Sequence, residues 1–140
     1  MRITVRVTLA LLVLALVAAP AFAGAAKDLE KTPQAKAYRL LLKAVDDGDY
    51  EGYKKAMVAE AAKSIDAQTK EMGMTPKKAM EFMKAMAPTD IKLTDLKVDG
   101  KKATLSATGK SGGETNWGTI ELAEENGAWK VGHQSWTNKK

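Results

Sequence analysis

The sequence predicts an α+β domain: N-terminal helices packed on a curved four-stranded antiparallel sheet, in a cone-like arrangement preceded by a signal peptide. Two observations support this prediction. Apolar residues recur at helical spacing from residue 33 to about residue 86, and they alternate with polar residues from residue 90 onward. Helices followed by a run of strands are typical of α+β domains, because the helices then cover one face of the sheet.

The first 23 residues are predicted to be a signal peptide outside the domain. Arg2 and Arg6 make a positive start, residues 7–19 are uncharged and mostly apolar, and a small-x-small cleavage signal ends at Ala23. This apolar run of thirteen residues is too short to span a bilayer comfortably. We therefore expect a periplasmic or secreted protein that is not in a membrane after cleavage.

Composition limits the remaining 117 residues to a few classes of protein. Their length suits one domain with one core, with a flexible leader over residues 24–31 and the domain over residues 32–138. The 20 basic and 17 acidic side chains are mixed along this part of the chain, which indicates no nucleic-acid surface. The chain has no cysteine, which excludes disulfides, thiolate metal sites and a lipid anchor on cysteine.

The first predicted helix has a clear start and a clear end. It begins at Thr32-Pro33, since threonine supplies a capping oxygen and proline at the first helical position loses no needed hydrogen bond. Gly48 ends it, because glycine tolerates the left-handed conformation. Tyr38 lies on the apolar side of this helix.

Further helix is predicted in the next forty or so residues. Helical spacing of apolar residues continues from about Asp49 to Met72, with a break expected near residues 58–62. A second Thr-Pro pair then begins a short helix over residues 76–86. This last helix is rich in methionine.

Four strands are predicted after residue 90. Residues 99–100 (Asp-Gly) and 126–127 (Asn-Gly) are two-residue hairpin turns, and residues 111–113 form a looser one. The alternation slips by one residue between Leu93 and Leu96, which indicates a β-bulge. Because successive strands are joined by short turns, the predicted sheet is an antiparallel meander.

Two short stretches resemble the nuclear transport factor 2-like superfamily, a cone-shaped α+β fold. Residues 46–50 (DDGDY) are similar to its acidic-Gly-Asp turn, and residues 126–131 (NGAWKV) to its last hairpin. The resemblance covers residues 33–137 and is nearest to small exported bacterial domains of unknown function, some labelled lumazine-binding-like. Many of those are lipoproteins, whereas this chain lacks the cysteine. The resemblance implies a cavity beneath the helices and a homodimer through the outer sheet face.

The last predicted strand carries two of the three tryptophans and the only histidine. Without a bulge, Trp129, Val131 and His133 share one face of this strand, and Trp136 lies on the other. Trp129 is predicted to anchor the core, because burial of a large ring is among the strongest local contributions to stability. Trp136 is expected to cover a sheet edge or to contact a partner.

The best interpretation is a non-enzymatic protein that binds a small, largely apolar ligand or serves as an accessory protein, and that carries no cofactor. A curved sheet beneath helices leaves a hollow for such a ligand. We predict that six side chains line it, namely Tyr38, Tyr53, Met80, Met83, Trp129 and His133.

Two alternatives remain open from the sequence. Enzymes of the resembled superfamily, such as ketosteroid isomerase and the polyketide cyclases, place an Asp, His or Tyr in the cone. None of their catalytic constellations matches this chain, but His133 is a candidate general acid or base. The spacing of Met80, Met83 and Met86 resembles that of exported copper(I)-handling proteins, because thioethers are soft ligands. A core or pocket role for these methionines is favoured.

Overall fold

The computed structural model describes residues 26–139 of the chain. The predicted signal peptide and its cleavage site lie outside the described residues. Within them the predicted α+β class is confirmed, because helices precede a four-stranded antiparallel sheet with the strand order β1-β2-β3-β4. No helix in residues 26–139 is long and apolar enough to cross a membrane.

In residues 26–139 five helices come first and four strands follow. The helices are α1 (Ala26–Leu29), α2 (Pro33–Asp47), α3 (Tyr50–Lys55), α4 (Ala59–Glu71) and α5 (Pro76–Met86). The strands are β1 (Thr89–Asp99), β2 (Lys102–Ser111), β3 (Glu114–Glu125) and β4 (Ala128–Thr137). One face of the sheet packs against the helices and is called the inner face below. The other is called the outer face.

The predicted ends of α2 and the predicted start of α5 are confirmed. The Thr32 hydroxyl accepts a hydrogen bond from the Ala35 backbone N–H at 3.2 Å, and the Thr75 hydroxyl accepts one from Lys78 at 3.3 Å. Gly48 ends α2 in the left-handed conformation with φ of 69°. These capping residues act through hydrogen bonds and dihedral angles within a few residues, so they begin or end a helix whatever the helix packs against.

The break in the second helical stretch falls at residues 56–58, earlier than the predicted residues 58–62. Here the backbone bonds to β4 instead of continuing the helix. The Val58 N–H donates to the Val131 carbonyl, and the Val131 N–H donates to the Ala56 carbonyl, both at 2.9 Å. The segment therefore covers part of the outer edge of β4, which protects an otherwise unpaired strand edge.

The segment expected to be a flexible leader, residues 24–31, contains a short helix in its described part. Ala26–Leu29 forms helix α1, and Leu29 is fully buried at 0% exposure. The Glu30 carboxylate accepts a hydrogen bond from Arg39 Nε at 3.0 Å, which joins the segment to α2. The buried leucine gives this short helix an apolar anchor.

Three register shifts interrupt the sheet within residues 26–139, and only one of them was predicted. The first lies between Thr89 and Lys92 at the start of β1 and was not predicted. The register of β1 also shifts between Leu93 and Asp95, as expected from the slip in alternation. In β4, Val131 pairs with Leu122 while His133 pairs with Glu121, so Gly132 is the extra residue.

The bulge at Gly132 exchanges the two faces for the rest of β4. Val131 is buried on the inner face, but His133 is exposed on the outer face and Trp136 packs against the core. The prediction that His133 shares a face with Trp129 and Val131 is wrong, because it assumed an unbroken strand. Trp136, expected on the opposite face from Trp129, lies on the inner face for the same reason.

Candidate functional site

An apolar cleft of about 220 Å³ lies between α2, α5 and the end of β4, and is called the α5 cleft below. Helix α2 contributes Tyr38 and helix α3 contributes Tyr53. Met83 of α5 forms one wall, and Gln134 and Trp136 of β4 form the other. Gln134 and Trp136 line the cleft because the bulge at Gly132 places them on the inner face.

A single hydrogen-bonded group of side chains supplies the polarity within the α5 cleft. The Tyr38 hydroxyl donates to Gln134 Oε1 at 3.2 Å, and Trp136 Nε1 makes a longer contact with the same oxygen at 3.4 Å. Tyr38 is fully buried. Since Gln134 Oε1 receives both donors, its amide nitrogen is the group that can donate to a bound molecule.

Both cleft tyrosines remain neutral over the physiological pH range. Burial raises the pKa of Tyr38 above its usual value, and the nearby Arg39 guanidinium offsets a smaller part of that rise. Burial also raises the pKa of Tyr53. A neutral phenol is both a donor and an acceptor of hydrogen bonds, so these groups suit an uncharged ligand.

The Trp136 ring lies against two strand glycines. A Cβ added at Gly118 would sit 2.7 Å from a ring carbon of Trp136, and one at Gly109 would sit 3.2 Å from the ring and 2.9 Å from Pro88 Cβ. Glycines within strands often mark such a close approach. In the structure these glycines make room for the indole.

The mouth of the α5 cleft is apolar and open to solvent. Phe82 is 53% exposed and Met86 is 68% exposed, and the two lie one turn apart on α5. These two residues are called the rim below. Beside them Met83 is half-buried and Pro88 closes the end of the cleft. An exposed apolar rim that continues into a cleft is typical of a contact site, whereas scattered exposed apolar residues are not.

The structure brings together three of the six predicted ligand-binding residues. Tyr38, Tyr53 and Met83 all line the α5 cleft. Met80 is 1% exposed and belongs to the core. Whether the three cleft residues bind a ligand stays a prediction.

The other two predicted residues lie elsewhere. Trp129 is half-buried and lines a separate cleft of about 340 Å³ between α2, α3 and β4, together with Leu40 and Lys130. His133 is exposed on the outer face beside Glu121, away from both clefts. Another cleft, of about 330 Å³, is lined by Glu121, the register partner of His133, and by Gly132, but His133 itself does not line it.

Sequence reasoning missed Phe82, Gln134 and Trp136 as cleft residues. Gln134 and Trp136 were missed because the bulge at Gly132 was not foreseen. Glycines on neighbouring strands at 109 and 118 were a usable signal, since paired gaps in side chains on a sheet often accommodate an aromatic ring.

The methionines of α5 do not converge. At about 100° of rotation per residue, Met80 and Met86 lie about 120° apart around the helix. Met80 is accordingly buried while Met86 is exposed, with Met83 between them. Within residues 26–139 no group of three or more His, Asp or Glu side chains could hold a metal ion.

A larger cleft of about 610 Å³ lies between α2 and the start of β1, but its two basic side chains are already paired. Arg39 bonds to Glu30 and to the Ile91 carbonyl, and Lys43 pairs with Asp47. Such exposed ion pairs contribute little and are common on protein surfaces. The α5 cleft is therefore the better candidate for a ligand.

No protein-family model matches this chain, and no curated protein matches it significantly. Its function must be inferred from its own geometry.

Proposed function

We propose that this chain is an exported, non-enzymatic protein that binds a small, largely apolar molecule in the α5 cleft. The observation that carries the proposal is the composition of the cleft, in which apolar walls and an exposed apolar rim surround one polar group, the Tyr38–Gln134 pair. Apolar walls with a few placed polar groups are the usual composition of small-molecule sites.

The volume of the cleft limits the size of its ligand. At about 220 Å³ it lies below the range of about 300–1,000 Å³ typical of sites for drug-sized ligands. The bound molecule is therefore small, or it is a longer molecule whose apolar end enters the cleft while the remainder lies on Phe82 and Met86.

The polar pair at the inner end favours a ligand with an uncharged hydrogen-bond acceptor. The Gln134 amide nitrogen can donate to a carbonyl or ether oxygen, and the neutral Tyr38 hydroxyl has a free lone pair for a donor. A carboxylate at this depth would lose its hydration without meeting a cation, which is costly.

Catalysis is not part of the proposal. The isomerase- or cyclase-like alternative depended on His133 within the cavity, and that side chain is exposed on the outer face. Copper(I) binding depended on three thioethers that converge, and one of them is buried in the core. The positions of these side chains do not favour either alternative.

Export and membership of the nuclear transport factor 2-like superfamily remain proposals based on the sequence. The first depends on residues 1–23, with their positive start, apolar run and cleavage signal. The second depends on the DDGDY and NGAWKV stretches together with the order of helices and strands. A cone-shaped cavity and a homodimer are implied by that resemblance.

The direct test combines native mass spectrometry with dye binding. Protein purified from the exported compartment is expected to retain a small apolar molecule, seen as a defined mass increment. The stripped protein is expected to bind the uncharged dye N-phenyl-1-naphthylamine. The double variant Phe82→Ser/Met86→Glu is expected to lose the mass increment and to bind the dye at least about tenfold more weakly.

The matched control is Met72→Glu. Met72 is 59% exposed at the end of α4 and does not line the α5 cleft. The control therefore makes the same methionine-to-glutamate change as at Met86, but outside the proposed site. Met72→Glu should retain the small apolar molecule and should bind the dye as tightly as wild type does. Equal loss in the control and the rim variant would contradict the proposed site, and so would unchanged binding in both.

A further inference from the structure

A second hollow, of about 340 Å³, lies at one end of the outer face and is called the outer hollow below. Its lining includes Lys92 of β1, Thr108 and Lys110 of β2, and Thr115 of β3. Lys92 pairs with Thr108 in the sheet register, and Lys110 pairs with Thr115. The four side chains therefore form one patch across three neighbouring strands, on the face opposite to the α5 cleft.

Trp117 lies at the edge of this patch. It is the register partner of Thr108, and it follows Thr115 by two residues on the same face of β3. Side chains directly opposite each other in an antiparallel pair have Cβ atoms about 4.5–5.5 Å apart, so Trp117 lies beside Thr108, which lines the outer hollow. Trp117 is half-buried, which leaves part of the ring in contact with solvent.

The surroundings of Trp117 are rich in hydroxyl groups. In the described strands β2 to β4, Trp117 is the only large apolar side chain that points outward. Its outward-facing neighbours include Ser106, Thr119, Ser135 and Thr137. A stable self-association surface is more apolar than this at its centre, so a second copy of the chain is a poor match for the face.

Charge at the outer hollow is slightly positive. Lys92 and Lys110 are both exposed and supply two ammonium groups, while Asp90 is the one carboxylate in the lining. Ammonium groups are point-charge donors that suit carboxylate or phosphate oxygens. The hollow therefore favours a ligand that carries a negative charge.

We propose that the outer hollow and Trp117 together form a binding site for an acidic saccharide. The C–H face of a sugar ring packs on the indole, the threonine hydroxyls exchange hydrogen bonds with sugar hydroxyls, and Lys92 and Lys110 pair with the carboxylate. The site is separate from the α5 cleft, so the proposal does not depend on the one made above.

An NMR titration of the exported protein with tetragalacturonate tests this site. The indole N–H signal of Trp117 and the amide signals of Thr108 and Thr115 are expected to shift together. Lys92→Gln and Lys110→Gln are each expected to weaken binding about tenfold, because each removes a charge-assisted hydrogen bond. The fully methyl-esterified oligomer, which is uncharged, should bind wild type about as weakly as these variants bind the acid.

Substitutions of Trp117 separate stacking from charge. Trp117→Ala is expected to weaken binding at least about tenfold, whereas Trp117→Phe keeps an aromatic face and most of the affinity. Unchanged far-UV circular dichroism in both variants would show that the fold is retained. Equal binding by Trp117→Ala and wild type would overturn the proposal.

The matched control is the double variant Lys97→Gln/Lys102→Gln. Both lysines are exposed on the outer face, but at the end away from Trp117, so the control removes the same charges outside the outer hollow. Its affinity should match that of wild type. An equal loss of affinity in this control would overturn the proposal. Equally tight binding of a single-stranded DNA tetramer would do the same, because it would indicate a merely electrostatic surface.

Discussion

Trp117 and Trp136 are neighbours in the sheet, yet they occupy opposite environments. Trp117 pairs with Thr137, and the next residue of β3, Gly118, pairs with Trp136. Trp136 packs on the inner face against glycines and the core, whereas Trp117 lies among threonines and lysines on the outer face. The same side chain thus builds the wall of an apolar cleft on one face and lies beside a polar hollow on the other.

The difference arises from what lies opposite each ring. Gly109 and Gly118 leave a gap on the inner face, with Pro88 beside it, so one side of the Trp136 ring is covered although the residue as a whole is half-buried. On the outer face Thr108 is the register partner of Trp117 and Thr115 lies two residues before it, so side chains rather than a gap flank this residue. The environment of an aromatic residue in a strand can therefore be predicted only when its cross-strand neighbours are known.

The largest expected difference between the two rings is in stability. Trp136→Ala should lower the free energy of unfolding by about 2–4 kcal/mol, because it leaves a cavity beside the core. Trp117→Ala should cost at most about 1 kcal/mol, because its ring already contacts water. Urea denaturation of both variants measures the two values. Similar costs for both would contradict the assignment of the rings to opposite environments.

A methyl group added at Gly118 would fill the gap that this glycine leaves beneath the Trp136 ring. Gly118→Ala places a Cβ 2.7 Å from the Trp136 ring, so the ring must shift, at an expected cost of about 1–3 kcal/mol. Acrylamide quenching should then show a more accessible tryptophan. Gly132→Ala is the control, since its added Cβ would meet nothing nearer than 3.6 Å. A larger loss of stability in the control would reverse this interpretation.

A smaller effect is expected from the polar pair of the α5 cleft. Tyr38→Phe removes the hydrogen bond to Gln134 and should lower the free energy of unfolding by about 0.5–1.5 kcal/mol. Tyr53→Phe removes a hydroxyl from the same cleft without affecting Gln134, so it serves as the matched control. Chemical denaturation should give a larger cost for Tyr38→Phe, and the reverse order would show that the pair does not contribute.

The smallest effect is confined to alkaline solution. Burial raises the pKa of Tyr38 and of Tyr53 above the ordinary value of 10.0, so these phenols ionise more readily in the unfolded chain than in the folded protein. Their contribution to stability is therefore fully present below pH 10.0 and is lost as the pH rises from there. Unfolding measured across this pH range should show the decline, and Tyr38→Phe should decline less steeply.

Helix starts and turns were predictable because each depends on a few adjacent residues. The caps at Thr32 and Thr75 were predicted and are present, and Asn126 adopts the positive φ of 52° that its turn requires. The bulge near Thr94 was predicted from alternation alone. Helix Ala26–Leu29 was not predicted, because it depends on the burial of Leu29 by distant parts of the chain.

The candidate site was predictable only in part. Tyr38 and Met83 lie on the apolar sides of their helices, so the helical period was enough to place them in the cleft. Gln134 and Trp136 were misplaced, since a period-two pattern cannot reveal where a strand takes an extra residue. Trp117 was not predicted as a site residue, because the lysines of the proposed outer site come from two other strands.

The amino-acid sequence by itself determined the order of helices and strands, because capping hydrogen bonds and turn dihedrals are settled within a few residues. Only the tertiary structure decided which face of β4 carries His133 and which carries Trp136. That choice depends on the Gly132 bulge, beside which Val131 is held by hydrogen bonds to Ala56 and Val58, more than seventy positions earlier in the chain. Contacts over such a distance form only when the whole chain has folded, and here they select the residues that line the cleft.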